Sequence, residues 1–149
     1  MSTVQESIDV AVPVNTAYNQ WTQFEDFPKF MDGVEEITQI DDRRSHWRTR
    51  VAGVSREFDT EIVDQVPDDH VAWRTTGGDT HQSGVVSFQM IDATHTRVMM
   101  AMDFEPDGLG EKVAGALGIV DRQVKGDLRR FKAFIEARGV ESGGFRGRL

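Results

Sequence analysis

Apolar and polar residues alternate near the start of the chain, and this alternation predicts a β-strand. In residues 7–12, SIDVAV, the side chains of Ile8, Val10 and Val12 are separated by small or polar ones. A period of two is typical of a half-buried strand. Pro13 should end this strand, because proline has no amide hydrogen to donate to a sheet.

A dense aromatic run follows in residues 20–34, QWTQFEDFPKFMDGV. The pattern predicts two short helices, the first with Asn15 as its N-cap and extending through Trp21. Pro28 should lie in the first turn of the second helix or at a break between the two. We expect most of these aromatic side chains to close one end of the core. The members most able to reach a cavity are Phe27, Phe30 and Met31.

From residue 34 onward the apolar runs recur about every ten residues, with turn-forming clusters between them. The clusters are DDRR at 41–44, PDD at 67–69, TGGD at 76–79 and DAT at 92–94. This pattern predicts a meander of six antiparallel strands.

The last third of the chain has apolar residues at intervals of three and four, which predict one long amphipathic helix. They are Leu109, Val113, Leu117, Val120, Val124, Leu128, Phe131 and Ile135. Gly139 should end the helix. We predict one domain over residues 1–139, followed by a flexible glycine-rich tail over residues 140–149.

Three glycines lie inside this helix, where each costs about 1 kcal/mol relative to alanine. They are Gly115, Gly118 and Gly126. Two explanations stay open: close packing of the helix on the sheet, or room for a ligand beside the N-terminal half of the helix.

Composition narrows the class of protein. The chain has 149 residues, with 25 acidic and 17 basic side chains, and this balance opposes binding to nucleic acid. The absence of cysteine excludes disulfides and thiolate chemistry. No apolar run approaches the roughly 18 residues of a membrane span, and the N-terminus lacks the features of a signal peptide. We therefore expect a soluble, cytoplasmic protein without integral membrane association.

The order of elements and several local sequences resemble the polyketide cyclase/dehydrase family. The matching segments are WTQFEDFPKFMDGV, FDTEIVDQVPDDHVAWRTTGG, SGVVSFQMID, THTRVMMAMDFEPDG and the terminal helix, and the similarity as a whole extends over residues 5–138. That family belongs to the START-like (SRPBCC, Bet v 1-like helix-grip) superfamily, which also contains coenzyme Q-binding proteins and plant stress-related ligand carriers.

The resemblance implies an α+β helix-grip fold. In this fold a seven-stranded curved antiparallel sheet wraps around a long C-terminal helix, and two short helices follow the first strand. It also implies an elongated cavity for an aromatic, lipid-like or quinone-like molecule. Some members of the family close and dehydrate aromatic rings, and others bind their ligands.

Side-chain parity indicates which sheet residues face the helix, because neighbours along a strand point to opposite faces. The inward set contains no histidine, carboxylate or arginine, which suits a hydrophobic ligand and offers little for proton transfer. Besides Ile8, Val10 and Val12, this set consists of Trp47, Thr49, Val51, Phe58, Thr60, Ile62, Val71, Trp73, Thr75, Val86, Phe88, Met90, Val98, Met100, Met102 and Phe104.

Candidate ligand-binding residues combine this parity with the aromatic run and the N-terminal half of the last helix. They are Phe27, Phe30, Met31, Trp47, Thr49, Phe58, Thr60, Trp73, Thr75, Phe88, Met100, Met102, Phe104, Val113, Leu117 and Val120. Trp73 lies centrally on a middle strand, and we expect it to respond to ligand entry.

Catalytic candidates are few. Thr75 and Gln82 are inward polar groups that could hold a substrate carbonyl, and Arg48 would join them only if a bulge turned it inward. The four histidines show no zinc-binding spacing, so we expect no metal site, and we expect no cofactor. They are interpreted as surface residues: His46, His70, His81 and His95. The basic residues of the last helix are interpreted as a solvated face: Arg122, Lys125, Arg129 and Arg130.

Three functions remain open from the sequence. The first is binding of a hydrophobic small molecule in an internal cavity. The second is a polyketide cyclase/aromatase or dehydratase that acts on a ligand in that cavity. The third is a stress-associated interaction protein with a vestigial pocket. The sequence leaves open whether the protein is a monomer or a homodimer.

Overall fold

Seven strands form one antiparallel sheet in the order β1-β7-β6-β5-β4-β3-β2. The computed structural model describes residues 2–51, 53–78, 81–104, 110–145 and 147. The strands are β1 (Ser2–Val10), β2 (Val34–Gln39), β3 (Arg44–Val51), β4 (Val54–Val66), β5 (His70–Gly78), β6 (Gln82–Asp92) and β7 (His95–Phe104). Strands β2 to β7 confirm the predicted meander.

The first strand pairs with the last one and begins earlier than predicted. β1 starts at Ser2 and pairs antiparallel with β7 along its whole length. Val4 and Val10 on β1 are buried, as is Val12 just beyond it, so the predicted alternation is confirmed. The strand ends at Val10, three residues before Pro13.

Two short helices follow β1, but their predicted boundaries were partly wrong. Helix α1 spans Val14–Trp21 with Pro13 as its N-cap residue, so Asn15 lies inside the helix. Proline suits this position because the first turn of a helix leaves its amide groups unbonded. A 3₁₀ helix spans Phe24–Lys29, and Pro28 lies in its second half instead of its first turn. A helix this short depends on few internal hydrogen bonds and tolerates the missing amide hydrogen.

The long helix, α2, spans Gly110–Arg138. Gly139 follows with φ of +73° and donates its amide hydrogen to the carbonyl oxygen of Ile135 at 2.8 Å, which confirms the predicted C-terminus. The helix packs against the edge strand β1, where Lys132 Nζ donates to the carbonyl oxygen of Asp9 at 3.0 Å. Its buried stripe consists of Val124, Leu128, Phe131 and Ile135.

Irregularities in β4 change which of its residues face inward. The register against β5 shifts between Asp59 and Thr60, where the extra residue is on β5, and again between Ile62 and Asp64, where it is on β4. An extra residue in one strand reverses the side-chain parity beyond it and bends the sheet. Gln65 is consequently buried and donates a hydrogen bond of 2.9 Å to the hydroxyl oxygen of Tyr18.

The inward assignment of Met90 was wrong. Met90 is 61% exposed, near the end of β6 where the register against β7 shifts between Met90 and Asp92. The parity of Met90 agrees with that of buried Val86 and Phe88, but the strand extends here beyond the packed part of the sheet. Parity alone does not show where the core ends.

The sheet-packing explanation for Gly118 and Gly126 was also wrong. A Cβ at Gly118 would meet only the Nη1 of Arg122, at 3.9 Å, and a Cβ at Gly126 would meet the guanidinium of Arg130 at 3.0 Å. Neither glycine is therefore needed for close contact between α2 and the sheet. Gly115 lies outside the described side chains.

The described part of the C-terminal segment lies against α1. Ser142 donates its amide hydrogen to Gln20 Oε1 at 2.8 Å, and Phe145 donates its amide hydrogen to Thr22 Oγ1 at 2.9 Å. The mobility of residues 140–149 stays a prediction. Within the described residues, no helix has both the length and the hydrophobicity to cross a membrane.

Candidate functional site

A cavity of about 380 Å³ lies between the sheet, the 3₁₀ helix and α2. Its volume falls in the range of about 300–1,000 Å³ that is usual for ligand pockets. The predicted cavity residues that line it are Phe27, Met31, Trp47, Thr49, Phe58, Thr60, Trp73, Met100, Met102, Phe104 and Val120.

Three other candidates, all among the described residues, lie away from this cavity. Phe30 packs on Phe131 with ring centroids 5.2 Å apart, and Phe88 packs edge-on against Tyr18 at 5.5 Å. Thr75 is half-buried and accepts a hydrogen bond of 3.1 Å from the amide of Gln82. Inward parity therefore does not guarantee a place on the cavity wall. Val113 and Leu117 lie outside the described side chains.

Three aromatic side chains of the cavity wall pack against one another. Trp47 stacks on Phe58 with ring centroids 5.8 Å apart and an interplanar angle of 17°, and Phe27 meets Trp47 at 5.9 Å and 63°. Trp47 Nε1 donates a hydrogen bond of 2.9 Å to Thr60 Oγ1 across strands β3 and β4. This bond satisfies the indole donor and holds the ring in place in the cavity wall.

A second tryptophan lies opposite a glycine on the next strand. Trp73 on β5 pairs with Gly84 on β6, and a Cβ at position 84 would lie 2.6 Å from Trp73 Cζ2 and Cη2. The indole ring therefore rests on the glycine backbone, and Trp73 also lines the cavity.

The cavity also contains ionisable groups, so the expectation of a wall without arginine or carboxylate was wrong. Asp127 lines the cavity from α2 and is only 9% exposed. Its Oδ1 accepts hydrogen bonds from Arg130 Nη2 at 2.7 Å and from Gln123 Nε2 at 3.1 Å. Gln123 is another cavity residue.

The environment of Asp127 changes its acidity. Burial disfavours the charged carboxylate and raises the pKa of Asp127 to about 6, although the hydrogen bond from Arg130 acts in the opposite direction. A carboxyl group with a pKa near neutrality can exchange a proton under physiological conditions. This property is common at functional sites, though ion-pair networks with a structural role also produce it.

Arg56 is the second ionisable residue of the cavity wall. Arg56 lies on β4 two residues before Phe58 and has the same parity as Phe58 and Thr60. The inward pattern of this strand, extended to its start, therefore includes Arg56. Asp127 carried a similar signal, three residues after Val124 and four before Phe131 on the buried stripe of α2.

The catalytic candidates from the sequence have different positions. Gln82 lines the cavity, whereas Thr75 does not. Arg48 points outward as its parity indicates: its Nη2 lies 3.9 Å from a carboxylate oxygen of Glu36, and its side chain is 48% exposed. The bulge that would have turned Arg48 inward is therefore not found in the described part of β3.

One residue of the predicted basic face was assigned wrongly. Arg130 is half-buried and bonded to Asp127, while Arg122, Lys125 and Arg129 are exposed as expected. The apolar pattern of α2 does not distinguish Arg130 from Arg129. The burial of Arg130 depends on its contacts with Phe30 and Asp32, which are distant in sequence.

Three of the histidines, His46, His70 and His95, lie beside carboxylates near the surface. His46 Nδ1 lies 2.6 Å from Asp59 Oδ1, and His70 Nε2 lies 2.6 Å from Asp64 Oδ2. These carboxylates raise the pKa of both imidazoles. The described residues bring together no group of three or more histidine or carboxylate side chains suited to a metal ion.

Two residues of the cavity wall have exposed apolar side chains. Val54, at the start of β4, and Ile119, on α2, both line the cavity and are 48% and 37% exposed.

Comparison with known proteins gives one family and many structural matches. Residues 10–133 match the family model described as polyketide cyclase/dehydrase and lipid transport. An uncharacterized 17.2 kDa protein of Streptomyces lincolnensis, from the melC2-rnhH intergenic region, is 61% identical over 147 residues, which are 99% of this chain and 98% of the relative.

Solved structures with much lower identity share the fold. The Zhui aromatase/cyclase from Streptomyces sp. R1128 matches with a TM-score of 0.78 and 19% identity, over 97% of this chain and 99% of that one. A START superfamily protein from Mycobacterium smegmatis matches with a TM-score of 0.75 and 14% identity, over 91% and 98%. A protein from Thermus thermophilus matches with a TM-score of 0.81 and 17% identity, over 92% and 99%.

These structural matches establish the START-like helix-grip fold, and the family model covers most of the chain. Both agree with the curved seven-stranded sheet and the long C-terminal helix described above. The chain therefore belongs to the polyketide cyclase/dehydrase and lipid transport family.

Proposed function

We propose that the protein binds a flat, hydrophobic aromatic molecule that carries a hydroxyl or carbonyl group, such as a polyketide-like or quinone-like compound. The observation that carries this proposal is the combination, in one cavity, of stacked aromatic side chains and the buried carboxylate of Asp127. The aromatic rings supply contact area for a planar ligand, and Asp127 and Arg56 supply orientation.

The polar end of the cavity, defined by Asp127, Gln123 and Arg56, would favour ligands that can hydrogen-bond. A ligand hydroxyl that donates to the Asp127 carboxylate would form a charge-assisted hydrogen bond, which is stronger than one between neutral groups. A ligand without a donor would displace water from the carboxylate and supply no hydrogen bond in its place. The cavity should therefore prefer hydroxylated aromatic compounds over their ethers.

The test is isothermal titration calorimetry with 2-naphthol and with its ether, 2-methoxynaphthalene. Both have the same ring system, and only 2-naphthol donates a hydrogen bond. We expect 2-naphthol to bind, and at about pH 7.5 to bind about tenfold more tightly than the ether, as the loss of a hydrogen bond to a charged group predicts. Lack of binding by both compounds would contradict the proposal.

A cavity-filling variant locates the binding site. Met102 lines the cavity, so Met102→Trp should block binding of 2-naphthol. Met99 lies on the opposite face of the same strand, and Met99→Trp is the matched control that should keep binding. Native mass spectrometry of the protein purified from its own host would then identify the natural ligand.

A second function, cyclisation or dehydration of a bound ligand, is favoured by the presence of Asp127 and Arg56 in the cavity wall. Asp127 carboxylate could accept a proton from the carbon next to a ligand carbonyl, while Arg56 stabilises the developing negative charge on the carbonyl oxygen. Loss of a β-hydroxyl group as water would then complete the reaction.

A simple substrate tests this second function. 3-Hydroxy-1-tetralone loses one molecule of water to give an enone that tautomerises to 1-naphthol, whose fluorescence is easily followed. Catalysis should disappear in Arg56→Met and in Asp127→Asn. Formation of 1-naphthol at the uncatalysed rate in the wild type would rule out this reaction and leave binding as the function.

A further inference from the structure

Arg130 connects the cavity carboxylate to a turn on another element. Its Nη2 donates to Asp127 Oδ1 at 2.7 Å, and its Nε donates to the carbonyl oxygen of Phe30 at 2.9 Å. Its Nη1 lies 3.3 Å from Asp32 Oδ2. One guanidinium group thus links α2 to the turn at residues 30–32, between the 3₁₀ helix and β2.

The turn that Arg130 holds is part of the cavity wall. Met31 and Gly33 line the cavity, and the turn is closed by a 3.1 Å hydrogen bond from the amide of Val34 to the carbonyl oxygen of Met31. A change in the position of Arg130 would therefore alter the cavity wall at two places, at Asp127 and at the turn.

Gly126 gives the guanidinium group its space. Arg130 lies one helical turn after Gly126, and a Cβ at position 126 would be 3.0 Å from both Nη1 and Nη2. This close approach accounts for a glycine in the middle of an otherwise regular helix. It also shows that the side chain of Arg130 folds back along α2 toward Asp127, instead of extending into solvent.

We propose that Arg130 is a positioning residue, which orients the carboxylate of Asp127 toward the ligand and couples its charge to the turn at residues 30–32. This inference rests on the proposed function and deepens it, because it states how the polar end of the cavity is held. When Asp127 is ionised, it attracts Arg130, and the bridge to the turn is complete. When Asp127 is protonated, that attraction is lost and Asp32 remains as the charged partner.

Several charged or polar groups act on this carboxylate. Arg130 attracts it from the same helix, and Asp32 on the adjacent turn repels it. Gln123 donates a hydrogen bond, and Arg56 on β4 lines the same cavity. Because Arg130 lowers the pKa of Asp127 while burial raises it, removal of the guanidinium should raise the pKa above about 6.

The first test needs no ligand. The pKa of Asp127 is measured by ¹³C NMR in the wild type, Arg130→Met, Arg130→Lys and Gly126→Ala. We expect a higher pKa in Arg130→Met and Gly126→Ala and partial recovery in Arg130→Lys. Arg129→Met removes the same charge from the neighbouring exposed position and should leave the pKa unchanged. Gly126→Ala keeps all charges and improves helix propensity, so an effect there would not come from misfolding.

The second measurement follows the turn. In the wild type, the backbone amide signals of residues 31–33 should shift with the same midpoint as the carboxyl group of Asp127. In Arg130→Met they should no longer follow it. An unchanged pKa of Asp127 in Arg130→Met, or turn signals that follow the titration without the arginine, would overturn the proposal.

Ligand binding provides the third measurement. The preference for 2-naphthol over 2-methoxynaphthalene, about tenfold in the wild type, should disappear in Arg130→Met and persist in Arg129→Met. A preference that persists in Arg130→Met would count against a positioning role. If the wild type binds neither compound, the proposed function fails, and the two NMR titrations still decide whether Arg130 couples Asp127 to the turn.

Discussion

Trp73 and Gly84 form a directly opposed pair on β5 and β6, with the indole ring lying on the glycine backbone. The glycine is needed because any side chain at position 84 would occupy the space of the ring. The pair thus fixes how far Trp73 projects into the cavity, and it relates one backbone position to the width of the ligand site.

The substitution Gly84→Ala should destabilise the protein and narrow the cavity. The new Cβ would lie 2.6 Å from two atoms of Trp73 and 2.9 Å from the carbonyl oxygen of Ala101, and that backbone cannot move away cheaply. We expect the free energy of unfolding to fall by about 1–3 kcal/mol, as in other overpacked sites, when measured by urea denaturation. The affinity for 2-naphthol should fall as well, because Trp73 is pushed toward the ligand.

Gly77→Ala is the matched control, since a Cβ at position 77 has no neighbour within 4 Å among the described atoms. It lies on β5 as Trp73 does. Equal effects of Gly84→Ala and Gly77→Ala would show that backbone entropy, and not contact with the indole ring, determines the loss of stability.

Trp73→Phe should separate a ligand-contacting role from a packing role. Phenylalanine keeps an aromatic ring on the strand but has less surface toward the cavity. We expect the melting temperature to stay nearly unchanged and the affinity for 2-naphthol, by calorimetry, to fall about three- to tenfold, the size of one aromatic contact. Unchanged affinity would mean that Trp73 only fills the core.

The elements with a strong period were predicted well. Apolar residues alternate in residues 7–12 and recur every three or four residues along α2. Each pattern arises because one continuous face of the element is buried, so both elements can be recognised from sequence. Short helices without such a face were less well predicted: the positions of Asn15 and Pro28 depend on where α1 and the 3₁₀ helix meet the sheet.

The polar end of the site could be predicted only in part. Arg56 and Asp127 both have the periodicity of buried neighbours, and only the assumption of an apolar wall excluded them. The role of Arg130 is different, because its partners Phe30 and Asp32 are distant in sequence. No local pattern on α2 distinguishes Arg130 from the exposed Arg129.

Deletion of residues 140–149 should destabilise the protein. Gln20 is fully buried beneath this segment and exchanges hydrogen bonds with Ser142, and Thr22 accepts one from Phe145. Replacing these bonds with water should lower the free energy of unfolding by about 1–3 kcal/mol. Urea denaturation tests this value, and unchanged stability would support a free tail.

Light scattering on the same truncated protein tests the interaction hypothesis. The amides of Ser142 and Phe145 are already bonded to Gln20 and Thr22, so we expect the truncated and full-length proteins to have the same oligomeric state. A dimer that becomes a monomer on truncation would instead favour a function in protein–protein contact.

Asp127→Asn should stabilise the protein at neutral pH. The pKa of this carboxyl group is about 6 in the folded protein and about 3.9 in an unfolded chain. Between these values the folded state binds more protons than the unfolded state, so the free energy of unfolding falls as pH rises through this interval. Asparagine resembles the protonated carboxyl group and cannot ionise, so the variant avoids this loss.

We therefore expect Asp127→Asn to exceed the wild type in unfolding free energy by about 1–3 kcal/mol at about pH 7.5, with little difference near pH 4. Urea denaturation across this range measures the difference, and Asp42→Asn controls for the loss of one acidic charge at an exposed turn. The same variant should bind 2-naphthol more weakly, because its amide is a weaker acceptor than a carboxylate. A gain in stability together with a loss of affinity would identify Asp127 as a residue retained for the ligand at the expense of stability, whereas a loss of both would indicate a structural ion pair with Arg130.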